Sequence, residues 1–468
     1  MSDKLLVPFE HDGLWWKPDL PGEKISGTLN YDPVEGCNLS LLGQFGGLER
    51  LGDPLSETLP VIHGVTKDTG KVTLFDNITI SFRLKIPGIS SEVFSPSFVF
   101  LGEHIDSPET FVTSQCHFRL TNLEEWLGHN PFGVQFTQGE PKTLNLNVRL
   151  PEPQSFSLPH ITSTLRVDAT YKTHVDRVRK FDIEVLSWLI LEPNQPQTLQ
   201  TYLKVISRIR YFVALCLGRR VYLSNIVLRD DDEEKVASEK PEKRIIECYF
   251  QQNPSPVAVD KKTNLSGMTI NDFVEGKVEI INNWLSLYDD IEPSLDILFS
   301  ILYTDMYLNV RFLLAAQAVE ALHRHLWPAS YVTEEQYEEI EQKLTDAIPN
   351  EAPSDLKAKL KDVLKYGNEF SLRRRLKEIS QRLTEKGAEH FVCFDSAFIN
   401  DVVNTRNYLT HYDKSLQASA KTGESLYQLY AKLALTVMVV VFTELGVSKE
   451  LIMEKLRQHR HFGRYVGT

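Results

Sequence analysis

The stretch Ser396-Ala397-Phe398-Ile399-Asn400-Asp401-Val402-Val403-Asn404-Thr405-Arg406-Asn407-Tyr408-Leu409-Thr410-His411 decides how the second half of the chain is read. Phe398, Ile399, Val402, Val403 and Leu409 recur at helical rather than alternating spacing. This predicts a helix over 396–410 with the hexapeptide from Arg406 to His411 at its end. At ~100° per residue, Arg406 and His411 lie ~140° apart around a straight helix, so one chain's pair converges poorly. Asn407 and His411 are four apart and share a face, where the amide can hydrogen-bond one imidazole nitrogen and fix its tautomer. The plain alternative is that an arginine and a histidine near a helix C-terminus are capping charges that complement the dipole.

Outward from this stretch the pattern is helical from Thr269 onward, with helices expected over 270–288, 294–327, 333–347, 354–366, 371–386, 423–445 and 448–459. The second of these carries Phe312-Leu313-Leu314-Ala315-Ala316-Gln317-Ala318-Val319-Glu320-Ala321-Leu322 and stops at Pro328. Thr333 with Gln336 predicts a capping box, Ser354 and Ser371 serve as N-caps, and Gly446 ends the penultimate helix. Val437 to Val441 is β-branched, but Leu426, Leu429, Leu433, Val437, Val440 and Val441 keep a spacing of three and four, so it reads as helix. Apolar stripes of this length in antiparallel helices make a bundle.

The first 150 residues are β-rich. Ile78, Ile80, Phe82, Leu84 and Ile86 alternate with other residues, as do Leu144, Leu146, Val148 and Leu150, and Ile25, Gly27, Leu29 and Tyr31; each set predicts a strand with one buried face. Turn residues at Asp32-Pro33, Lys67-Asp68-Thr69-Gly70 and Gln138-Gly139-Glu140-Pro141 punctuate them, giving an antiparallel sandwich or barrel-like domain. Trp15-Trp16 serves either core packing or a binding surface. Pro151, Pro153 and Pro159 mark a linker or edge. Strands follow over 164–171 and 181–191, a helix over 197–217, and strands over 221–228 and 244–251. The expected domains are 1–150, a mixed α/β continuation over 151–265, and the helical 266–468.

The totals are those of an ordinary globular protein. Hydrophobic residues make up 42% of the 468 and charged residues 24%, and the net charge of -12 makes the average surface repel polyanions, so any RNA contact needs a local basic patch. Arg373-Arg374-Arg375 with Lys377 is one such patch, equally readable as a solvated helix face. The tail, with Arg457, His459, Arg460, His461 and Arg464, is another candidate. Five scattered cysteines without a C-x-x-C pair point to a reducing compartment and no structural zinc. His323 and His325, two apart, diverge on a helix and make a poor metal pair, and Asp230-Asp231-Asp232-Glu233-Glu234 reads as a solvated loop. No signal peptide precedes the fold, and the apolar run Leu433 to Phe442 is too short to span a bilayer, so a soluble cytoplasmic protein without membrane attachment is expected. Nothing calls for a cofactor or a metal.

The hexapeptide resembles the R-x4-H signature of the HEPN superfamily, including the polar residue after the arginine, the long helix upstream and Tyr412-Asp413 after the histidine. Gly13-Leu14-Trp15-Trp16-Lys17-Pro18, Gly27-Thr28-Leu29 and Gly36-Cys37-Asn38-Leu39-Ser40-Leu41-Leu42-Gly43 look like the first N-terminal domain of ApeA-type anti-phage proteins, which join a β-rich N-terminal domain to a C-terminal HEPN domain. The resemblance implies an α+β multidomain chain that defends against phage by abortive infection. Its HEPN dimer would cut RNA, tRNA among the targets, without metal, leaving a 2′,3′-cyclic phosphate and a 5′-hydroxyl, while the N-terminal half senses a phage-derived trigger.

The residues fit that chemistry. Cleavage needs a base for the 2′-hydroxyl, an acid for the leaving 5′-oxygen and positive charge on the phosphorane. Histidine suits the first two because its pKa lies near working pH, and arginine suits the third. Two protonation roles and one motif histidine point to a site shared by two chains, with Arg406 on the phosphate, His411 as acid or base and Asn407 orienting it. Glu320 would reach Arg406 across the bundle, and Asp413 either tunes His411 or is a loop carboxylate in water. The competing reading is a binding protein whose helical bundle only dimerises, since HEPN domains without nuclease activity exist.

Overall fold

The structure, a computed structural model, describes residues 3–46, 58–85, 87–137, 142–176, 179–230, 244–252, 267–273, 276–388, 394–458 and 463–465. Contacts divide the chain once, into Met1–Asn282 and Asn283–Thr468. The expected boundaries at 150 and 265 both fall inside the first unit, because strands from either side of 150 share one sheet.

In the first unit β1 (Phe9–Trp16), β2 (Ile25–Asp32), β3 (Gly36–Leu41), β4 (Thr58–Thr66), β5 (Gly70–Arg83) and β6 (Ser91–Leu101) form a six-stranded antiparallel barrel. The order is β6-β3-β2-β1-β4-β5, closed by β5 returning to β6. Closure removes the exposed edges that an open sheet would leave. After β7 (Val112–Thr113) come β8 (Gln115–Leu120), the short α1 (Leu123–Leu127), the hairpin of β9 (Phe132–Thr137) and β10 (Thr143–Val148), β11 (Gln154–Leu158), β12 (Ser163–Asp176), β13 (Lys180–Pro193) and β14 (Gln197–Thr198). α2 (Leu199–Leu217), β15 (Leu223–Asp230) and β16 (Arg244–Tyr249) complete the unit.

β6 belongs to both the barrel and the open sheet. Glu92 to Phe94 pair with β3 and Val99 to Leu101 with β16. Pro96 lies between the two pairings, opposite Asn77 of β5, where β6 changes partner from β3 to β16. From there the sheet continues β16-β15-β8-β13-β12-β11.

Trp15 and Trp16 are core residues. Both are buried, and Trp15 Nε1 donates to the Gly27 carbonyl at 3.0 Å. Gly64 faces the Trp15 ring so closely that a Cβ there would collide with it. β2 buries Gly27, Leu29 and Tyr31 as the alternation predicts.

Two other alternations turn out differently. In β5 the exposed face carries Ile78 and Ile80, while the buried face carries Asn77 and Thr79; Asn77 Nδ2 donates to the Leu59 and Leu74 carbonyls at 2.9 and 3.1 Å. The amide nitrogen thus has two backbone acceptors, while Asn77 Oδ1 is buried without a hydrogen-bond partner among the described residues. In the β9–β10 hairpin, Leu144, Leu146 and Val148 pair across to Phe136, Val134 and Phe132, yet the strands are exposed apart from half-buried Val148. These two strands form a sheet of their own instead of joining the large one.

The second unit is helical: α3 (Lys277–Tyr303, beginning in the first unit), α4 (Leu308–Leu326), α5 (Glu334–Asp346), α6 (Ser354–Lys365), α7 (Leu372–Glu385), α8 (Ser396–His411), α9 (Gly423–Glu444) and α10 (Lys449–Arg457). The break expected between 288 and 294 is absent. α3 runs through Pro293, which gives up one helical hydrogen bond, because Ile291, Ser294, Leu295 and Leu298 around it are fully buried; the chain breaks at 304–307 instead. The capping box of Thr333 and Gln336 and the N-cap at Ser371 form as expected, whereas Pro353 rather than Ser354 caps α6.

From Leu433 to Phe442 α9 is buried on all sides, as befits the central helix of a bundle. By length and composition it could cross a membrane, and 78% of its most apolar window is buried inside the protein. Against it packs α4, whose Ala315, Ala316 and Ala318 are buried; Ser294 Oγ donates to the Ala318 carbonyl at 2.8 Å.

Candidate active site

The end of α8 is fixed from both sides. Asp395 caps its first turn by accepting from the Phe398 N–H at 2.7 Å, and Phe398, Ile399, Val402, Thr405 and Leu409 form its buried face. Buried Thr405 accepts from the Lys421 N–H through Oγ1 at 3.0 Å, and Lys421 Nζ lies 3.2 Å from Asp401. The loop after the helix is thereby tied back onto it. Tyr412 takes the left-handed conformation that stops the helix, φ 51°, with its N–H on the Tyr408 carbonyl at 2.6 Å.

One face of this helix end looks onto α4. Arg406 and Thr410, four residues apart, line a cleft of about 520 Å³ with Leu313, Gln317, Glu320, Arg324 and His325. Arg406 is half-buried and His411, on the next face, is exposed. Among the described residues no hydrogen bond or ion pair joins Arg406 to His411, in keeping with their expected divergence. The Asn407 oxygen accepts from Arg406 Nη1 at 3.3 Å, so in the single chain the amide is turned to the arginine rather than to the imidazole.

Neighbouring carboxylates are committed elsewhere. Glu320 shares the cleft with Arg406 but lies 3.7 Å from Arg324, which in turn sits 2.8 Å from Glu369. Asp413 starts a turn by accepting from the Ser415 N–H at 2.9 Å and its hydroxyl at 2.8 Å. These two bonds, with a smaller contribution from nearby His411, hold its carboxyl below the usual range.

The basic cluster of α7 does not hold together as a surface. Arg375 is only 2% exposed and points into the bundle: Nε donates to the Phe370 carbonyl at 2.9 Å, Nη1 lies 3.0 Å from His323 Nδ1 and Nη2 is 3.6 Å from Glu369. It is therefore not an RNA contact; its position next to Leu376 and four before Ile379 places it on the helix's apolar stripe. Arg374 and Lys377 are exposed, Arg374 over the Phe370 ring, and half-buried Arg373 donates to Asn400.

His323 is fully buried, with Nε2 3.3 Å from Glu378 and its ring edge-on to Trp327. Burial, with Arg375 beside it, pushes its pKa down although Glu378 pulls the other way. Of the basic tail, His459, Arg460 and His461 lie outside the described residues. Arg464 sits over the Tyr427 ring, 3.8 Å from Glu424. Most of the acidic run after Asp230, and Cys393, also lie outside them.

Sequence reasoning did not assemble Leu313, Gln317, Arg324, His325 and Thr410 into one cleft. The three- and four-residue spacing of Leu313, Gln317, Glu320 and Arg324 along α4 held the signal, but which face meets α8 is decided by packing.

Two family models match. ApeA N-terminal domain 1 covers residues 10–284 and Apea-like HEPN covers 313–451, the stretch from α4 to α10 that holds the cleft and the hexapeptide. No curated protein and no solved structure matches the chain.

Proposed function

The chain belongs to the ApeA family, and on that premise we propose that it is an anti-phage HEPN endoribonuclease that cuts RNA without a metal and halts growth of the infected cell. The observation that carries this reading is the state of the motif. Arg406 and His411 close a helix whose end is fixed, neither is held in an ion pair among the described residues, and Arg406 opens onto a cleft with polar walls.

In the proposed reaction the 2′-oxygen attacks phosphorus as a base removes its proton. Arg406 balances charge on the phosphorane, and the bond to the 5′-oxygen breaks as an acid protonates it. The products are a 2′,3′-cyclic phosphate and a 5′-hydroxyl. One His411 cannot serve as base and acid on the same phosphate in one step, so the second comes from a second chain, in a dimer formed through the helical unit. Arg373, Arg374 and Lys377 are left as candidates to hold the RNA backbone, tRNA included. The β-rich half senses the phage-derived trigger or keeps the enzyme silent, and the protein works in the cytoplasm.

The test is incubation of purified full-length wild type and His411→Ala with total cellular RNA in EDTA, reading fragment ends, beside phage challenge of cells carrying each. Cleavage by wild type alone, leaving cyclic phosphates, is expected, with loss of protection in the variant. Retained protection in His411→Ala would sink the assignment. The second reading, a non-catalytic bundle that dimerises for a sensing role, draws on the Asn407 amide facing Arg406, so that among the described residues no side chain orients His411 by a hydrogen bond. Normal protection by both Arg406→Ala and His411→Ala would favour it.

A further inference from the structure

The hairpin of α5 and α6, inserted between α4 and α7, has no part in the site described above. Neither helix has a single buried residue. They touch each other, with the Tyr337 hydroxyl on the Leu364 carbonyl, but their apolar residues stay largely exposed: Ile340 and Leu344 on the same side of α5 as Tyr337, Leu356, Leu360 and Val363 on α6, and Tyr366 just after it. Val363 is 61% exposed and Tyr366 68%. An apolar face of this kind on a soluble protein marks a surface that meets something.

The charges say what it meets. α5 carries Glu334, Glu335, Glu338, Glu339, Glu341 and Asp346 against Lys343 alone, a net of -5, whereas α6 carries Lys357, Lys359, Lys361 and Lys365 against Asp355 and Asp362, a net of +2. Among the described residues Glu338, Glu339, Lys359 and Lys361 have no ion-pair partner within the chain. One hairpin thus presents an acidic and a basic helix side by side, flanking an apolar strip. Turned by a two-fold axis, the same surface offers a basic helix to the acidic one and an acidic helix to the basic one.

We infer that the α5–α6 hairpin is a self-docking surface whose partner is the same hairpin of a second copy of this chain, forming a four-helix contact with α5 of each copy against α6 of the other. The inference does not depend on the nuclease reading. Thirteen residues give α5 a length of ~20 Å, and two helices ~10 Å apart present a face on the order of 400 Å². That is about half of what each partner brings to a standard interface, so the hairpin contact is weak alone and shows as concentration-dependent association or as a second contact in a dimer held elsewhere.

The test is a charge exchange in the full-length protein. Glu338→Lys with Glu339→Lys cuts the net charge of α5 from -5 to -1 and so weakens its attraction to α6, whereas Lys359→Glu with Lys361→Glu takes α6 from +2 to -2 and makes it repel α5; in a mixture of the two variants one contact keeps both wild-type helices and the other sets the new lysines against the new glutamates. Sedimentation over a concentration series is expected to show self-association weakened about tenfold or more in each variant and regained in the mixture. Because a dimer held elsewhere would mask this in mass, differently tagged Glu338→Cys and Lys361→Cys chains are also mixed under oxidation, with wild type as background. An inter-copy crosslink is expected. Unchanged association in both variants together with no crosslink overturns the inference; so does loss of RNA retention by Lys359→Glu/Lys361→Glu with no crosslink, which would make α6 a polyanion surface instead.

Discussion

The helical unit holds two constellations of arginine, histidine and glutamate that look alike on paper and differ in every physical respect. Around Arg375 each charge has a partner: His323, Glu369, Phe370 and, through His323, Glu378 and Arg382, all at the seam of α4 and α7. Among the described residues the Arg406 guanidinium hydrogen-bonds the neighbouring Asn407 amide and no carboxylate, and His411 is exposed at the helix end. A charge already spent on a buried neighbour cannot stabilise a phosphorane, while one left unpaired beside a cleft can. The first constellation builds the bundle, and the second is available to a substrate.

The sharpest way to break that comparison is to remove a member of each. Arg406→Ala and His411→Ala should each lower RNA cleavage by about 10²- to 10⁴-fold, the usual worth of a proton-transfer group or an electrostatic donor, while circular dichroism and thermal unfolding stay as in wild type. Arg375→Ala should do the reverse. Leaving the Phe370 carbonyl and His323 Nδ1 without their buried donor, with a cavity where the side chain stood, costs roughly 2–5 kcal/mol, so the helical unit melts earlier or fails to accumulate, whatever the RNA assay reads. If Arg375→Ala folds normally and loses cleavage, the division into a structural and a functional pair is wrong.

A smaller effect follows from pH. The folded chain holds His323 neutral, with its pKa below the ordinary 6.5 because of burial, whereas the unfolded side chain protonates near 6.5. The unfolded state therefore binds more protons in the window just below 6.5, and stability that is complete above it is lost as pH falls toward the folded pKa. His63, in the barrel, is also lowered by burial, so a whole-protein melting curve mixes the two units. Hydrogen exchange separates them. Amides of α4 and α7 should exchange faster at pH 5.5 than at 7, after correction for intrinsic rates, and this local acceleration should be absent in His323→Gln. Equal protection at both pH values would leave the buried histidine without energetic consequence.

Much of this was legible from the sequence, and the exceptions share a cause. The boundaries of α7 and α8, and the hexapeptide at a helix end, follow from local spacing and capping, which act over one or two turns. In sequence the N-terminal strands fit a sandwich as well as a barrel, because closure depends on β5 meeting β6 and on one strand changing partner at Pro96, pairings that no short window contains. Ile78 and Ile80 mislead because alternation states that two faces differ but not which is covered. Pro293 misleads because tertiary burial of its neighbours outweighs one lost hydrogen bond. Arg375 misleads for the opposite reason: it lies on the apolar stripe of α7, but a run of arginines draws the eye to charge before period.

The least expected effect, and the most discriminating for the site itself, belongs to Asn407. Its oxygen accepts from Arg406 in the single chain, while its place four residues before His411 suits it to orient the imidazole. A half-exposed hydrogen bond of this kind is worth roughly 1 kcal/mol, so Asn407→Ala should slow cleavage only about three- to tenfold. The pH–rate profile then tells which partner matters. If the amide steadies the Arg406 guanidinium, the whole profile drops without moving, since the arginine stays charged throughout the working range. If it sets the tautomer of His411 in the assembled dimer, the limb that reports the imidazole shifts, because the bond that favours one protonation state has gone. A profile both unshifted and undiminished would remove Asn407 from the site and leave Arg406 and His411 as its whole motif.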